Sequence, residues 1–76
     1  MNKFKRARLK IAVNHLDEGM RIVQEVMGAE QDSLDSMPEN LESSPSYITL
    51  EENVDNLETA YDNIEEANDL LRGMTS

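Results

Sequence analysis

Residues 9–27, LKIAVNHLDEGMRIVQEVM, decide the fold of this chain. Their apolar residues recur at alternating spacings of four and three, which places them on one face of an α-helix. Residues 50–71 repeat this spacing, and neither segment shows the period of two that is typical of a strand. The twelve apolar positions, which we call the seam residues, are Leu9, Val13, Leu16, Met20, Val23, Met27, Leu50, Val54, Leu57, Tyr61, Ile64 and Leu71.

The residues between the two helical segments are typical of a turn. Both prolines and five of the six serines lie within 33–46, and both residue types favour turns. Two helices joined by a short connection pack antiparallel. The sequence therefore predicts a single all-α domain over 1–76, an antiparallel two-helix hairpin. We place helix 1 at about 3–35, the turn at 36–47 and helix 2 at about 48–72.

Local signals bear on the helix boundaries. Thr49 followed by Glu52 fits a capping box at the start of helix 2, and Ser44 followed by a proline is a competing start. Gly73 is expected to end helix 2, because glycine favours the backbone conformation that follows a helix. Gly28 lies inside helix 1 at a cost of about 1 kcal/mol relative to alanine, and the apolar spacing continues past it.

The size of the chain favours self-association. The chain has 76 residues and no cysteine, and a domain this small is only marginally stable without disulfides, metals or association. Ile11, Ile22 and Val26 lie beside the seam and make the apolar surface wider than one partner helix covers. We therefore expect two hairpins to associate through the seam residues into a helical bundle, as a homodimer or a larger oligomer.

The charges of the chain are segregated. Residues 1–10 carry five basic and no acidic side chains, residues 30–69 carry thirteen acidic and no basic ones, and the net charge is −9. Opposite charges attract, so we expect the basic start to dock against the acidic end of helix 2. The same side chains, which we call the basic segment, are candidates for binding an anion such as a nucleotide. They are Lys3, Lys5, Arg6, Arg8 and Lys10.

Six acidic side chains follow each other along helix 2, each one position after a seam position. Like charges at these spacings destabilise a helix by about 0.2–0.5 kcal/mol per pair. The sequence leaves these interpretations open: a solvated face, or a functional surface that either mimics the phosphates of DNA or collects divalent cations. We call this set the acidic row, and it comprises Glu51, Asp55, Glu58, Asp62, Glu65 and Asp69.

The sequence gives catalysis little support. It contains no nucleophile–base pair, glycine-rich phosphate loop or nucleophile elbow. One histidine and no cysteine leave no set of metal ligands, so we expect neither a metal nor a cofactor. No apolar run is long enough to span a membrane, and none follows the basic start, which predicts a cytoplasmic protein without membrane contact. Duplex DNA is not expected to bind to so acidic a chain.

The most distinctive stretch is residues 30–41, EQDSLDSMPENL, which Ser44, Tyr47 and an acidic helix follow. It resembles a group of small uncharacterised proteins encoded by bacteriophages and prophages. In that group a Glu-Gln pair precedes an Asp-x-(Leu/Met)-Pro-Glu-x-Leu turn. The resemblance covers about 30–72 and implies a viral or mobile-element origin and a helical hairpin, but no reaction. The basic start of this chain departs from the pattern of the group.

The turn also offers candidates for contact with a partner. Met37, Leu41 and Tyr47 provide apolar groups that predict an ordered cap over 36–47. Ordered loops on a rigid scaffold commonly carry binding residues. The candidate contact residues are Glu39, Asn40 and Glu42.

Together these features favour a non-enzymatic, phage-type interaction protein. We expect it to self-associate and to bind or inhibit a host factor, for example in an anti-defence role. One alternative is an oligomeric sponge that sequesters a nucleotide signal through the basic segment. Another is a DNA mimic that acts through the acidic row.

Overall fold

Two long helices account for most of the chain. Helix α1 spans Lys3–Asp35, helix α2 spans Pro45–Thr75, and a short 3₁₀ helix at Glu39–Leu41 lies in the turn between them. The computed structural model describes residues 1–76 and contains no strand. The two helices pack against each other in antiparallel directions, which confirms the predicted all-α hairpin.

Each helix begins at a side-chain cap. The Asn2 side-chain oxygen accepts a hydrogen bond from the Lys5 amide at 2.8 Å, and Ser44 Oγ accepts one from the Tyr47 amide at 3.2 Å. Helix α2 therefore begins at Pro45 and not near 48, because proline fits the first helical position, where no amide donor is needed.

The other signals for the ends of α2 are overridden. Thr49 lies inside the helix, where its hydroxyl donates to the Pro45 carbonyl oxygen at 3.0 Å instead of forming the predicted capping box. Gly73 was expected to end α2 near 72, but the helix continues to Thr75. No glycine adopts a positive φ, so Gly73 does not take the conformation that a glycine stop requires. Gly28 is helical, as the apolar spacing predicts.

The seam residues lie between α1 and α2 of the same chain. Val13 is 5% exposed, and the other eleven seam residues are half-buried. Asn68 occupies the position of helix 2 at which the apolar spacing is interrupted, and it is 3% exposed. Val13 and Asn68 are the only two buried residues of the hairpin. Two helices alone therefore cover the apolar surface only in part.

The hairpin is a rod with Cα extents of 59 × 14 × 14 Å. Asn68 Nδ2 donates to Asp17 Oδ1 at 2.7 Å, so these two residues lie at the same level of the rod. Fourteen residues separate Asp17 from the start of α1, whereas seven separate Asn68 from the end of α2. Helix α1 therefore extends about seven residues, or roughly 10 Å, past α2. We call this part, residues 3–9, the overhang.

Candidate interaction surfaces

One side of the hairpin carries polar contacts between the helices. Asp17 follows the seam residue Leu16, and its carboxylate accepts hydrogen bonds from the Arg72 guanidinium and the Asn68 amide. The hydrogen bond from Arg72, together with that from Asn68, holds the pKa of Asp17 below its usual range. Asn68 Oδ1 is buried and has no hydrogen-bond partner. This contact aligns the two helices at one level.

The acidic row lies on the same side of α2 as Arg72, since its members also follow seam positions by one residue. All six carboxylates are exposed, and none forms an ion pair. Toward the C-terminal end of α2, Asp62, Glu65, Glu66 and Asp69 line an open groove. The row is therefore a continuous negative surface, which suits both a solvated face and a DNA mimic.

The predicted docking of the basic segment against the acidic end of helix 2 is wrong. None of the five basic side chains forms an ion pair. Asp69 adjoins Asn68, which lies level with Asp17, so residues 62–69 lie beside the middle of α1. The basic segment lies instead on and next to the overhang, together with Phe4, which is 74% exposed. Charge predicts attraction between two segments but not the level at which the helices align.

The opposite side of the hairpin carries a second row of residues on each helix, with the same alternating spacing and no charged side chain. Val26 of α1 and Asn53, Asn56 and Ala60 of α2 line one groove, so the two rows lie side by side. We call this surface the uncharged face. It comprises Ala12, His15, Gly19, Ile22, Val26, Ala29 and Ser33 of α1 and Thr49, Asn53, Asn56, Ala60, Asn63, Ala67, Leu70 and Met74 of α2.

The uncharged face is open to solvent. Ile22 and Val26 are each 47% exposed, and Leu70 is 68% exposed. Gly19 and four alanines lie among the larger residues, and no atom lies within 4 Å of the place that a Cβ on Gly19 would take. A mixture of small and large side chains lets two helical surfaces interdigitate. The face thus has the composition of a helix–helix interface, but no other helix of the chain covers it.

Backbone hydrogen bonds order the turn. The Leu41 amide donates to the Pro38 carbonyl oxygen at 2.9 Å, and the Ser44 amide donates to the Leu41 carbonyl oxygen at 2.9 Å. The side chains proposed to contact a partner are exposed and make no hydrogen bond within the chain, so they are free to bind. They are Glu39, Asn40 and Glu42.

Tyr47 lies at the turn end of the rod, where it is half-buried against the hairpin. Burial raises the pKa of its phenol, and the negative charges of Glu51, Glu42 and Asp35 raise it further. Three carboxylates from α1, the turn and α2 therefore act on one side chain. The turn end of the rod is a negative pole.

Sequence reasoning identified Ile22 and Val26 but missed most of the uncharged face. Its other members are mainly Ala, Asn, Gly, Ser and Thr, which a search for apolar periodicity does not detect. The available signal was the lack of charge along both rows in a chain of which 30% is charged. Periodicity of charge-free positions is therefore the feature that marks this surface.

Comparison of the chain with protein-family models, with curated proteins and with solved structures finds no match. The resemblance to phage-encoded hairpin proteins stays a prediction from the turn sequence. Neither helix combines the length and the apolar character that a membrane-spanning helix needs. Function is therefore inferred from the surfaces described above.

Proposed function

We propose that this protein is a non-enzymatic, phage-type interaction protein that self-associates and binds or inhibits a host factor. The observation that carries the proposal is the uncharged face, which is exposed on a hairpin that buries only Val13 and Asn68. A hairpin that buries so little gains stability when a second surface covers it. Pairing two hairpins into a four-helix bundle covers the uncharged faces and the half-exposed seam residues together.

The size of the exposed area also supports self-association. A compact monomer of 8.6 kDa is expected to expose about 4,700 Å². The hairpin exposes 5558 Å². The excess of roughly 850 Å² is close to the ~800 Å² that each partner buries in a protein–protein interface of standard size. One interface of ordinary size would therefore bring the molecule to the exposure of a compact protein.

Self-association is tested with a matched pair of glutamate substitutions. Ala60 lies on the uncharged face, and its neighbour Thr59 is exposed opposite the seam, about 100° around α2 from Ala60. Ala60→Glu is expected to give helical monomers, because it places a charge where another copy would exclude water. Thr59→Glu should associate like wild type. Light scattering after size exclusion, with circular dichroism, measures both. A well-folded wild-type monomer at low micromolar concentration would overturn the proposal.

Binding of a host factor is tested at the turn. Replacing Glu39, Asn40 and Glu42 together with Ala removes exposed side chains that make no hydrogen bond or ion pair within the chain. Calorimetric titration of a purified host protein, first captured from lysate on wild-type protein, is expected to show saturable binding to wild type. Binding to the triple variant should be at least tenfold weaker at an unchanged melting temperature. Equal binding by both would place the site on the helical faces.

The nucleotide sponge is a second candidate, because the basic segment has no ion-pair partner within the chain. Two or more copies could hold one anionic ligand between their basic segments. Mass spectrometry of small molecules released by heating from wild-type protein tests it. The ligand should be absent from a variant in which the five basic residues are glutamine. A saturable nucleotide ligand retained only by wild type would favour the sponge over the interaction protein.

The DNA mimic is favoured by a different observation, the exposure of all six carboxylates of the acidic row. A DNA mimic binds the DNA site of its target, so it competes with duplex DNA for the captured host protein. Replacing Glu58, Asp62 and Glu65 with Gln should then abolish competition in a fluorescence-anisotropy assay. Competition that survives these substitutions excludes the acidic row as the mimic.

A further inference from the structure

The two ends of the rod carry opposite charge. The basic segment lies at the end where α1 begins, with five positive charges and no acidic neighbour among residues 1–10. The turn end carries seven carboxylates and no basic side chain between 30 and 52. These are Glu30, Asp32, Asp35, Glu39, Glu42, Glu51 and Glu52. The poles are separated by most of the 59 Å length of the rod, so they do not neutralise each other across a Debye length of about 8 Å.

The positive pole includes residues that continue the uncharged face. Lys5 and Arg8 precede Ala12 at the same alternating spacing of three and four, so they extend its row on α1 into the overhang. Lys3 and Lys10 follow seam positions and lie on the opposite side. At the turn end, the half-buried Glu30 lines the groove of the uncharged face. The face is therefore charge-free between Arg8 and Glu30, whose carboxylate accepts a hydrogen bond from Asn53 of the same chain at 3.0 Å. It is positive where it enters the overhang, and the other six carboxylates make the turn end negative without lying on its two rows.

We infer that two copies of this chain pack uncharged face to uncharged face with their long axes antiparallel. This arrangement places the Lys5 and Arg8 side chains of each copy against the acidic turn end of the other copy. A parallel arrangement would place five positive charges beside five, and seven negative charges beside seven, well within the Debye length. The charge-free middle adds no unpaired charge to the buried interface in either case. Charge alone therefore selects the antiparallel dimer.

In this dimer the overhang of each copy lies level with the turn of the other copy. Helix α1 passes α2 at one end, and the turn closes the hairpin at the other. In the antiparallel dimer each overhang lies beside the turn of the other copy. At that level the overhang has no second helix of its own chain beside it. The second copy thus supplies the packing that the overhang lacks. This inference rests on the self-association proposed above.

The absence of cysteine allows a direct distance measurement. Ser43→Cys introduces one exposed thiol per chain in the turn, and a nitroxide spin label on it reports the separation of the two turns by double electron–electron resonance. The antiparallel dimer predicts a label separation near the 59 Å length of the rod. A separation below about 25 Å, the width of two packed hairpins, would overturn the antiparallel arrangement while leaving self-association intact.

A second label position distinguishes a parallel dimer from the absence of a dimer. Ser76→Cys places the label at the end of α2, roughly 10 Å short of the opposite end of the rod. The antiparallel dimer again predicts a long separation, whereas a parallel dimer predicts a short separation for both labels. Loss of all dipolar coupling between chains, in a sample that light scattering shows to be monomeric, would overturn the proposed self-association and this arrangement together. The Ala60→Glu variant supplies the reference trace for that monomer.

Discussion

Asn68 places a polar contact, which aligns α1 with α2, where an apolar residue would pack between the helices. It takes a seam position, whereas the seam residues of α2 are Leu, Val, Tyr or Ile, and it is 3% exposed. Its amide nitrogen donates to Asp17, but its Oδ1 atom is buried without a partner. A single buried asparagine in such a position fixes the alignment of helices at a cost in stability. Asn68 therefore lowers the stability of the hairpin but defines how α1 pairs with α2.

Replacing Asn68 tests this exchange. Asn68→Leu removes a buried acceptor without a partner and adds apolar contact in the seam, so we expect the free energy of unfolding to rise by about 1–2 kcal/mol. Asn68→Ala leaves a cavity and gains no contact, and it should lower the melting temperature. Urea unfolding measures both. The leucine variant should also broaden the distribution of oligomers in light scattering, and an unchanged single species would contradict the role in alignment.

Asp17 makes the stability of the hairpin depend on pH. Its folded-state pKa lies below the usual value because Arg72 and Asn68 bind the ionised form. The carboxylate therefore contributes stability above its unfolded pKa of about 3.9, and this contribution is lost as pH falls through the lower folded value. Asp17→Asn should be less stable than wild type at pH 6, and the difference should shrink below about pH 4. Urea unfolding across this range measures the difference.

The control for the pH prediction is Glu66→Gln. Glu66 is an exposed acid of α2 that makes no ion pair. Its substitution removes the same formal charge from the chain, and it tests whether the effect comes from net charge alone. A stability difference for Asp17→Asn that stays constant down to about pH 2.5 would show that the carboxylate acts by packing and not by charge.

At the scale of the helices, replacing a leucine with aspartate should have different effects in the seam and on the uncharged face. Leu57 is half-buried between α1 and α2, whereas Leu70 is 68% exposed on the uncharged face. Leu57→Asp places a charge between the helices, so a loss of about 3 kcal/mol or more should remove most helicity. Leu70→Asp should keep the helicity of the monomer and lose association. Circular dichroism and light scattering on both variants decide it.

The helices also mark how far the sequence could be read. Periodicity and composition predict two helices and the turn, because apolar spacing is a local property. The bounds of α1 follow, since Asn2 is a favoured N-cap and Pro38 keeps Met37 out of helical geometry. The start of α2 was harder to place, because Thr49 and Ser44 offer competing caps. The structure uses Ser44, and the Thr49 hydroxyl donates within the helix instead. Gly73 misled for a related reason, since a glycine permits a stop without requiring one.

The surfaces could be predicted less well than the helices. The seam positions are apolar and were identified, and the structure places them between α1 and α2. The uncharged face consists of small and amide side chains whose common property is the absence of charge, which hydropathy does not measure. The contact of Asp17 with Asn68 and Arg72 spans more than fifty residues of chain, and its level depends on the exact length of the turn. The overhang follows from that level, so the sequence could not predict it.

At the scale of the whole molecule, charge and shape act together. A rod with opposite poles cannot satisfy its own charges, because α1 and α2 bring the basic segment to one end and the turn to the other. The Arg21 guanidinium, which pairs with Glu18 and Glu25, shows that basic groups in the middle of the rod do find local partners. Only the basic segment lacks acidic partners. A second copy in the opposite direction provides those partners at both ends.

The basic segment supplies the test of this view, because its side chains lie on both sides of the overhang. Lys5→Gln with Arg8→Gln removes two charges that face the other copy in the antiparallel dimer. Exposed pairs are worth about 0.2–1 kcal/mol each, and four are lost per dimer, so the dissociation constant should rise about fourfold or more. Lys3→Gln with Lys10→Gln changes the net charge equally but acts on the opposite side, and it should weaken association much less. Analytical ultracentrifugation at low salt compares the two pairs. Equal weakening would mean that association responds to net charge only, and that Lys5 and Arg8 do not lie against the turn of another copy.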